Sequence, residues 1–228
     1  MGAFHRGHPV TKENFRGKEV ETMDTTITGT MPEIERLEPV HTRGLQRTMG
    51  ALRMLLGFTF LWAFLDKAFA LGFSTGRVVS DAGETVKIAF FGDAAWIHGA
   101  SPTAGAIGFG LKGPFADFIQ TVTGYHMTQA GPAVNPWIDW VYMASLLLIG
   151  LGLMTGVMTR LAAVGGIIWL AVFYLGTAIW PEHNPVVDEH VIDAVVLVAL
   201  IFANAGRYWG LGKIWQRQTW VQDRRYLY

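Results

Sequence analysis

The sequence predicts an all-α integral membrane protein: a four-transmembrane-helix bundle with one long outer loop capping it and both termini cytoplasmic. Three observations carry this reading. Hydrophobic residues make up 51% of the chain against 16% charged, and mean hydropathy is +0.29, outside the usual balance of a water-soluble domain. Four windows each supply roughly 20 mostly apolar residues, the length that crosses a ~30 Å hydrocarbon core. Lys and Arg gather at one set of the predicted helix ends.

The elements follow in chain order. Residues 1–42 are polar, of mixed charge and without an apolar run, so they match neither a signal peptide nor a packed domain and read as a disordered cytoplasmic tail. Residues 43–212 form the membrane domain, with spans at about 49–73, 136–156, 161–180 and 187–208. The outer loop, 74–135, contains "AFFGDAAWIHGA" and "GAIGFGLKGPFADFIQTV", too apolar and aromatic for a solvated linker. It is expected to lie on the bundle as a cap, with a short amphipathic helix opening at Pro114 and running through Phe115, Phe118 and Ile119. Only "VMTR" separates the second and third spans, which forces an antiparallel hairpin. Gly152, Gly156, Gly165 and Gly166 offer close backbone approach there. Residues 213–228 are a basic, aromatic cytoplasmic tail suited to a lipid surface or a partner.

Orientation rests on Arg43, Arg47 and Arg53 at the start of the first span, Arg160 in the hairpin turn, and Arg207, Lys213, Arg217, Arg224 and Arg225 after the fourth. The other side carries Lys67, Arg77, Lys87 and Lys112. Trp62, Trp137, Trp180 and Trp209 fall near the interfaces, where amphipathic aromatics belong.

Composition also excludes. Lys plus Arg and Asp plus Glu number 18 each, with no long run of one sign, so nothing marks a nucleic-acid partner. Cysteine is absent, which removes disulfides, thiol redox chemistry, thiolate metal sites and covalent haem attachment. The first three spans hold no His, so no haem is expected. His183, Glu189, His190 and Asp193 lack H-E-x-x-H spacing, so no metal is expected. "GFGLKG" matches G-x-G-x-x-G by letters, but no strand precedes it.

Chemistry-capable residues gather at the outer mouth: Asp66 and Lys67 from the first span, Asp139 from the second, and the cluster from His183 to Asp193. Glu189 and His190 share a helix face with Asp193. A charge within a span costs roughly 2.5–3.5 kcal/mol on insertion scales, which makes an intramembrane Asp a candidate site. The plain alternative is headgroup placement, with Asp188 capping the helix and Asp66 and Lys67 paired or snorkelling at a helix end.

"LLLIGLGLMTGVMTRLAAVGG" followed by "NPVVDEHVIDAVVLVAL", together with "FLWAFLDKAFALGF" and "SPTAGAIGFGLKGPFADF", resembles the DoxX/DoxD-type membrane proteins, which include the large subunit of thiosulfate:quinone oxidoreductase. The resemblance spans about residues 43–212, and its more restricted part is Asn184, Pro185, Asp188, Glu189 and His190. It implies a four-helix bundle passing electrons from a small sulfur oxyanion such as thiosulfate to a membrane quinone. The expected roles are proton handling by His190, Asp193 and Glu189, and positive charge toward an oxyanion or reduced quinone from Lys67. Asp66, Asp139 and Asn184 are expected around the substrate or quinone, walled by Trp62, Phe69, Trp137 and Tyr174. The expected partners are membrane lipid, the quinone, and a small partner subunit or larger redox assembly. The other reading is a non-catalytic membrane subunit that anchors or assembles a redox or respiratory complex.

Overall fold

The computed structural model describes residues 42–80, 83–178 and 186–227; the predicted tail up to residue 41, Trp180, and the predicted site residues His183 and Asn184 lie outside the described residues. Helix α1, Arg43–Phe69, starts where the Thr42 side chain accepts the Leu45 N–H at 3.3 Å, and it ends at Ala70 in the left-handed region. Helix α3, Pro136–Thr155, begins on a proline, which loses no hydrogen bond in a first turn, and stops at Gly156 with φ +81. Helix α4, Thr159–Phe173, continues as five residues of π-helix, Tyr174–Ala178. Helix α5, Glu189–Phe202, is capped by Asp188, whose carboxylate accepts the Val191 N–H at 3.1 Å.

Consecutive long helices run antiparallel. Along α1 and α3 the facing pairs are Gly57 with Met154, Gly150 with Leu61, and Lys67 with Tyr142. Gly152 meets Ala162 and Tyr142 meets Trp169 between α3 and α4, while Gly166 meets Leu197 and Phe173 meets His190 between α4 and α5. The α1–α3 seam depends on two glycines. A Cβ on Gly57 would lie 2.8 Å from the Met154 backbone nitrogen, and one on Gly150 2.7 Å from that of Leu61. Around this seam pack Phe60, Met143, Leu146, Leu153, Ala163 and Leu200.

Large apolar side chains also face outward from the helices, among them Leu55, Phe58, Leu148, Ile168 and Val195. An apolar exterior of this kind suits hydrocarbon. Among the described residues, three helical stretches are long and apolar enough to cross a membrane: Arg43–Phe69, Pro136–Thr155 and Thr159–Gly176. The sequence reading expected a fourth span at 187–208. There, α5 covers 14 residues, about 21 Å, because Asn204 turns into the left-handed region just beyond its end.

The segment between α1 and α3 is built rather than extended. It holds two antiparallel hairpins, β1 (Arg77–Val79) with β2 (Thr85–Ile88) and β3 (His126–Thr128) with β4 (Gly131–Ala133). Between them lies helix α2, Ala116–Thr123, the short helix expected near Pro114. Phe91 donates its N–H to the Phe69 carbonyl at 3.0 Å, and Lys112 and Gly113 donate theirs to the Gly176 carbonyl at 2.9 and 2.7 Å. These bonds seat the segment on the ends of α1 and α4. After α5 the chain turns back through α6, Gly212–Trp215, and α7, Thr219–Gln222, against the opposite end of the bundle, where the Leu211 N–H reaches the Thr155 carbonyl at 2.8 Å.

Candidate functional site

Antiparallel packing brings the C-terminal ends of α1 and α4 together with the N-terminal ends of α3 and α5. Lys67, Asp66, Asp139 and His190 therefore share one end of the bundle. A cavity of about 280 Å³ opens there, walled by Tyr142 of α3, Trp169 and Phe173 of α4, Ile107 and Phe118 of the capping segment, and Lys67 at its rim. Its lining is almost wholly apolar, and the Lys67 ammonium lies 6.0 Å from the Tyr142 ring centroid, within reach of its π face.

The aromatic wall is held by mutual packing. Tyr142 stands edge-on to Trp169, with centroids 5.0 Å apart, and Trp169 and Phe173 lie one helical turn apart at 5.8 Å. Phe173 in turn packs on the His190 imidazole at 5.9 Å. One ring thus separates the cavity from the histidine. His190 Nδ1 sits 2.5 Å from an Asp188 carboxylate oxygen, so Nδ1 carries the proton toward Asp188 and Nε2 is the nitrogen left for exchange. Asp188 thereby both caps α5 and orients the ring.

The two buried carboxylates at this end serve the capping segment. Asp66, 1% exposed, accepts the backbone N–H groups of Phe73, Ser74 and Thr75 at 2.9, 2.9 and 3.0 Å and the Ser74 hydroxyl at 2.6 Å. Lys67 donates to that same hydroxyl oxygen at 3.2 Å, which links ammonium to carboxylate through Ser74. Asp139, 8% exposed, accepts the Ser101 hydroxyl at 2.9 Å and the Thr103 hydroxyl and N–H at 2.6 and 3.2 Å. Each aspartate fastens a turn to a helix end.

The other expected site residues take different places. Trp137 lines the cavity, half exposed. Trp62 stacks on Phe58 and edge-on to Phe73, and Phe69 packs on Phe91. Tyr174 donates its hydroxyl to the Val186 carbonyl at 2.7 Å and lines a second apolar cavity, about 310 Å³, shared with His190 between α4 and α5. Glu189 is exposed, while Asp193 is half-buried on α5 and makes no hydrogen bond among the described residues. No group of three potential metal-ligating His, Cys, Asp or Glu side chains occurs among the described residues.

Sequence reasoning missed Tyr142, Trp169 and Phe173, although a tyrosine within an apolar window and an aromatic pair at i, i+4 were visible signals. It also missed Ser74, Ser101 and Thr103, which nothing in the local sequence singles out. Comparison with protein-family models, curated proteins and solved structures finds no match for this chain.

Proposed function

We propose that the chain is a membrane-bound oxidoreductase, or the quinone-binding subunit of one, that passes electrons from a small sulfur oxyanion such as thiosulfate to a membrane quinone. The observation that carries the quinone half is the cavity at Lys67: apolar, walled by three aromatic rings, and near the lower limit of small-molecule sites, which start at about 300 Å³. A flat ring entering from the hydrocarbon side fits those walls, and the single ammonium at the rim fits a carbonyl or phenolate oxygen. The donor half rests on the resemblance of Asn184, Pro185, Asp188, Glu189 and His190 to the DoxX/DoxD-type proteins.

A quinone, when bound, accepts two electrons and two protons. Lys67 offsets negative charge developing on the ring oxygen, in a lining where water is scarce and that charge would otherwise be costly. His190, its Nδ1 held by Asp188, and the half-buried Asp193 on the same helix are the proton-handling groups at this end of the bundle; they face the neighbouring cavity between α4 and α5, so a proton reaches the ring oxygen by a path around Phe173. Trp169 and Phe173 hold the ring plane and keep water out.

In this reading α5 and the residues leading into it supply the fourth crossing, shorter than the expected 187–208 because the chain turns at Asn204, and the end bearing Lys67 faces away from the cytoplasm. Arg43, Arg47, Arg160, Arg207, Lys213 and Arg217 at the other end support that orientation. The reading as a non-catalytic subunit that anchors a redox assembly is favoured by Asp66 and Asp139, whose acceptor sites are spent on backbone and hydroxyl groups.

The test is extraction and quantification of quinone from the full chain purified from membranes. Stoichiometric quinone, depleted in Lys67→Met and in Trp169→Ala, is the expected result. Quinone no higher than in an unrelated membrane protein prepared alongside would sink the proposal. Quinone bound with no thiosulfate-dependent reduction, together with a co-purifying partner, would select the subunit reading.

A further inference from the structure

The end of the bundle remote from Lys67 carries a further cavity of different chemistry. It measures about 580 Å³ and is lined by Asn204, Arg207, Lys213, Gln216, Arg217 and Gln222, three cations and three carboxamides with no acidic side chain among them. Its shape has a local cause. Asn204, with φ 46, reverses the chain just after α5, and the 3₁₀ turn Ala205–Arg207 presents Arg207 toward the side chains of α6 and the turn that follows it. The Gln216 amide N–H donates to the Asn204 side-chain oxygen at 3.2 Å and ties the two walls together.

None of the three cations has an ion-pair partner among the described residues, and all three are exposed. Three positive charges around one concavity repel each other unless an anion sits between them. The carboxamides add neutral donors beside the charges, a mixture suited to the several acceptor oxygens of a phosphate group.

We propose that this cavity binds a phosphate-bearing anion. Exposed apolar side chains lie close in sequence to its lining residues, including Leu211 at 53%, Ile214 at 59% and Trp220 at 49%, with Phe202 at 85% at the end of α5. These neighbours point to a phosphate carried by an anionic lipid, whose acyl chains run along α5 while its headgroup meets Arg207, Lys213 and Arg217. The site is independent of the quinone cavity.

The experiment is native mass spectrometry of the full chain released from detergent, titrated separately with phosphatidylglycerol, phosphatidylcholine and inorganic phosphate. The variants are the triple substitution R207Q/K213Q/R217Q, the single substitution Lys213→Gln, and Lys87→Gln on β2 as a remote charge control. Phosphatidylglycerol retained in preference to phosphatidylcholine, with affinity lowered roughly a hundredfold in the triple variant and unchanged in Lys87→Gln, is the expected outcome. Saturable binding of inorganic phosphate with no preference for phosphatidylglycerol, lost in the same variants, supports the site and identifies a soluble source. Equal retention of both lipids and of phosphate by the native chain and the variants overturns it. If the triple variant does not fold, Lys213→Gln alone, at an exposed position, gives the same readout at smaller amplitude.

Discussion

Arg53 is the most consequential single residue in the chain. It is wholly buried within α1, and its guanidinium donates to the carbonyls of Leu153 and Met154 at the end of α3 and of Tyr208 and Trp209 beyond α5. Those carbonyls lie where helices run out of internal partners, so a planar group with five donors is the natural cap. Arg53→Met removes the donors and leaves the acceptors buried. At about 1–3 kcal/mol for each unsatisfied group, the variant is expected to lose about 3 kcal/mol or more, seen as a lower melting temperature in detergent, with partial recovery in Arg53→Lys. Asp66 acts by the reverse logic, since only a carboxylate accepts on both oxygens. Asp66→Asn keeps one acceptor oxygen and turns an N–H donor toward the other side, either Phe73 on Oδ1 or Ser74 and Thr75 on Oδ2, so one of those two sets of amides should exchange hydrogen much faster; unchanged exchange of all three would contradict the role given to Asp66. Sequence alone marked Asp66, Lys67 and Asp139 as costly charges in apolar surroundings. It read Arg53 as one of the positive flanks, because its acceptors come from positions 100 to 156 residues further along the chain.

At the level of elements, glycine placement decides which helices touch. The hairpin α3–α4 was readable from its short turn and small residues. The α1–α3 seam was not, because Gly57 and Gly150 are far apart in sequence and neither lies in a small-xxx-small pair that names its partner. A leucine side chain at position 57 meets backbone rather than movable side chain, so Gly57→Leu should part α1 from α3 at a cost of about 1–3 kcal/mol. The check is a thermal melt against Gly44→Leu, where a Cβ meets open space; equal melting of the two would refute the close seam. The short α2 was legible because Pro114 and the spacing of Phe115, Phe118 and Ile119 are local signals. The length of α5 was misread for the opposite reason. Apolar composition continues past Phe202, while the break depends on the backbone turn at Asn204. The two hairpins escaped notice because their strands are three or four residues long and mostly exposed, too short for an alternating pattern to emerge.

Over the whole molecule, chemistry is divided between two ends: an apolar, aromatic cavity with one ammonium at Lys67, and a polar, cationic one around Arg207. The division predicts sidedness. Because the chain has no native cysteine, single substitutions report it without background. Thr85→Cys on β2 should react with a membrane-impermeant maleimide on intact cells or spheroplasts, and Gln218→Cys only after the membrane is opened. Labelling of both from one side would exclude the crossing number proposed here. Membrane class, helix order and the gathering of Lys67, Asp139 and His190 at one end were legible, since they follow from hydropathy and from alternating direction. The wall of Tyr142, Trp169 and Phe173 was not, because rotation of each helix about its axis is fixed by packing that no single segment encodes.

The reach of Arg53 also carries a meaning in time. When α1 leaves the ribosome, the carbonyls that will neutralise its guanidinium do not yet exist, and the nearest arrives only after 100 more residues have been made. Until then the guanidinium has none of its final acceptors. Its bonds to Leu153 and Met154 form only after α3 has been made, and those to Tyr208 and Trp209 only once the chain beyond α5 exists, so the last step of assembly locks the first helix.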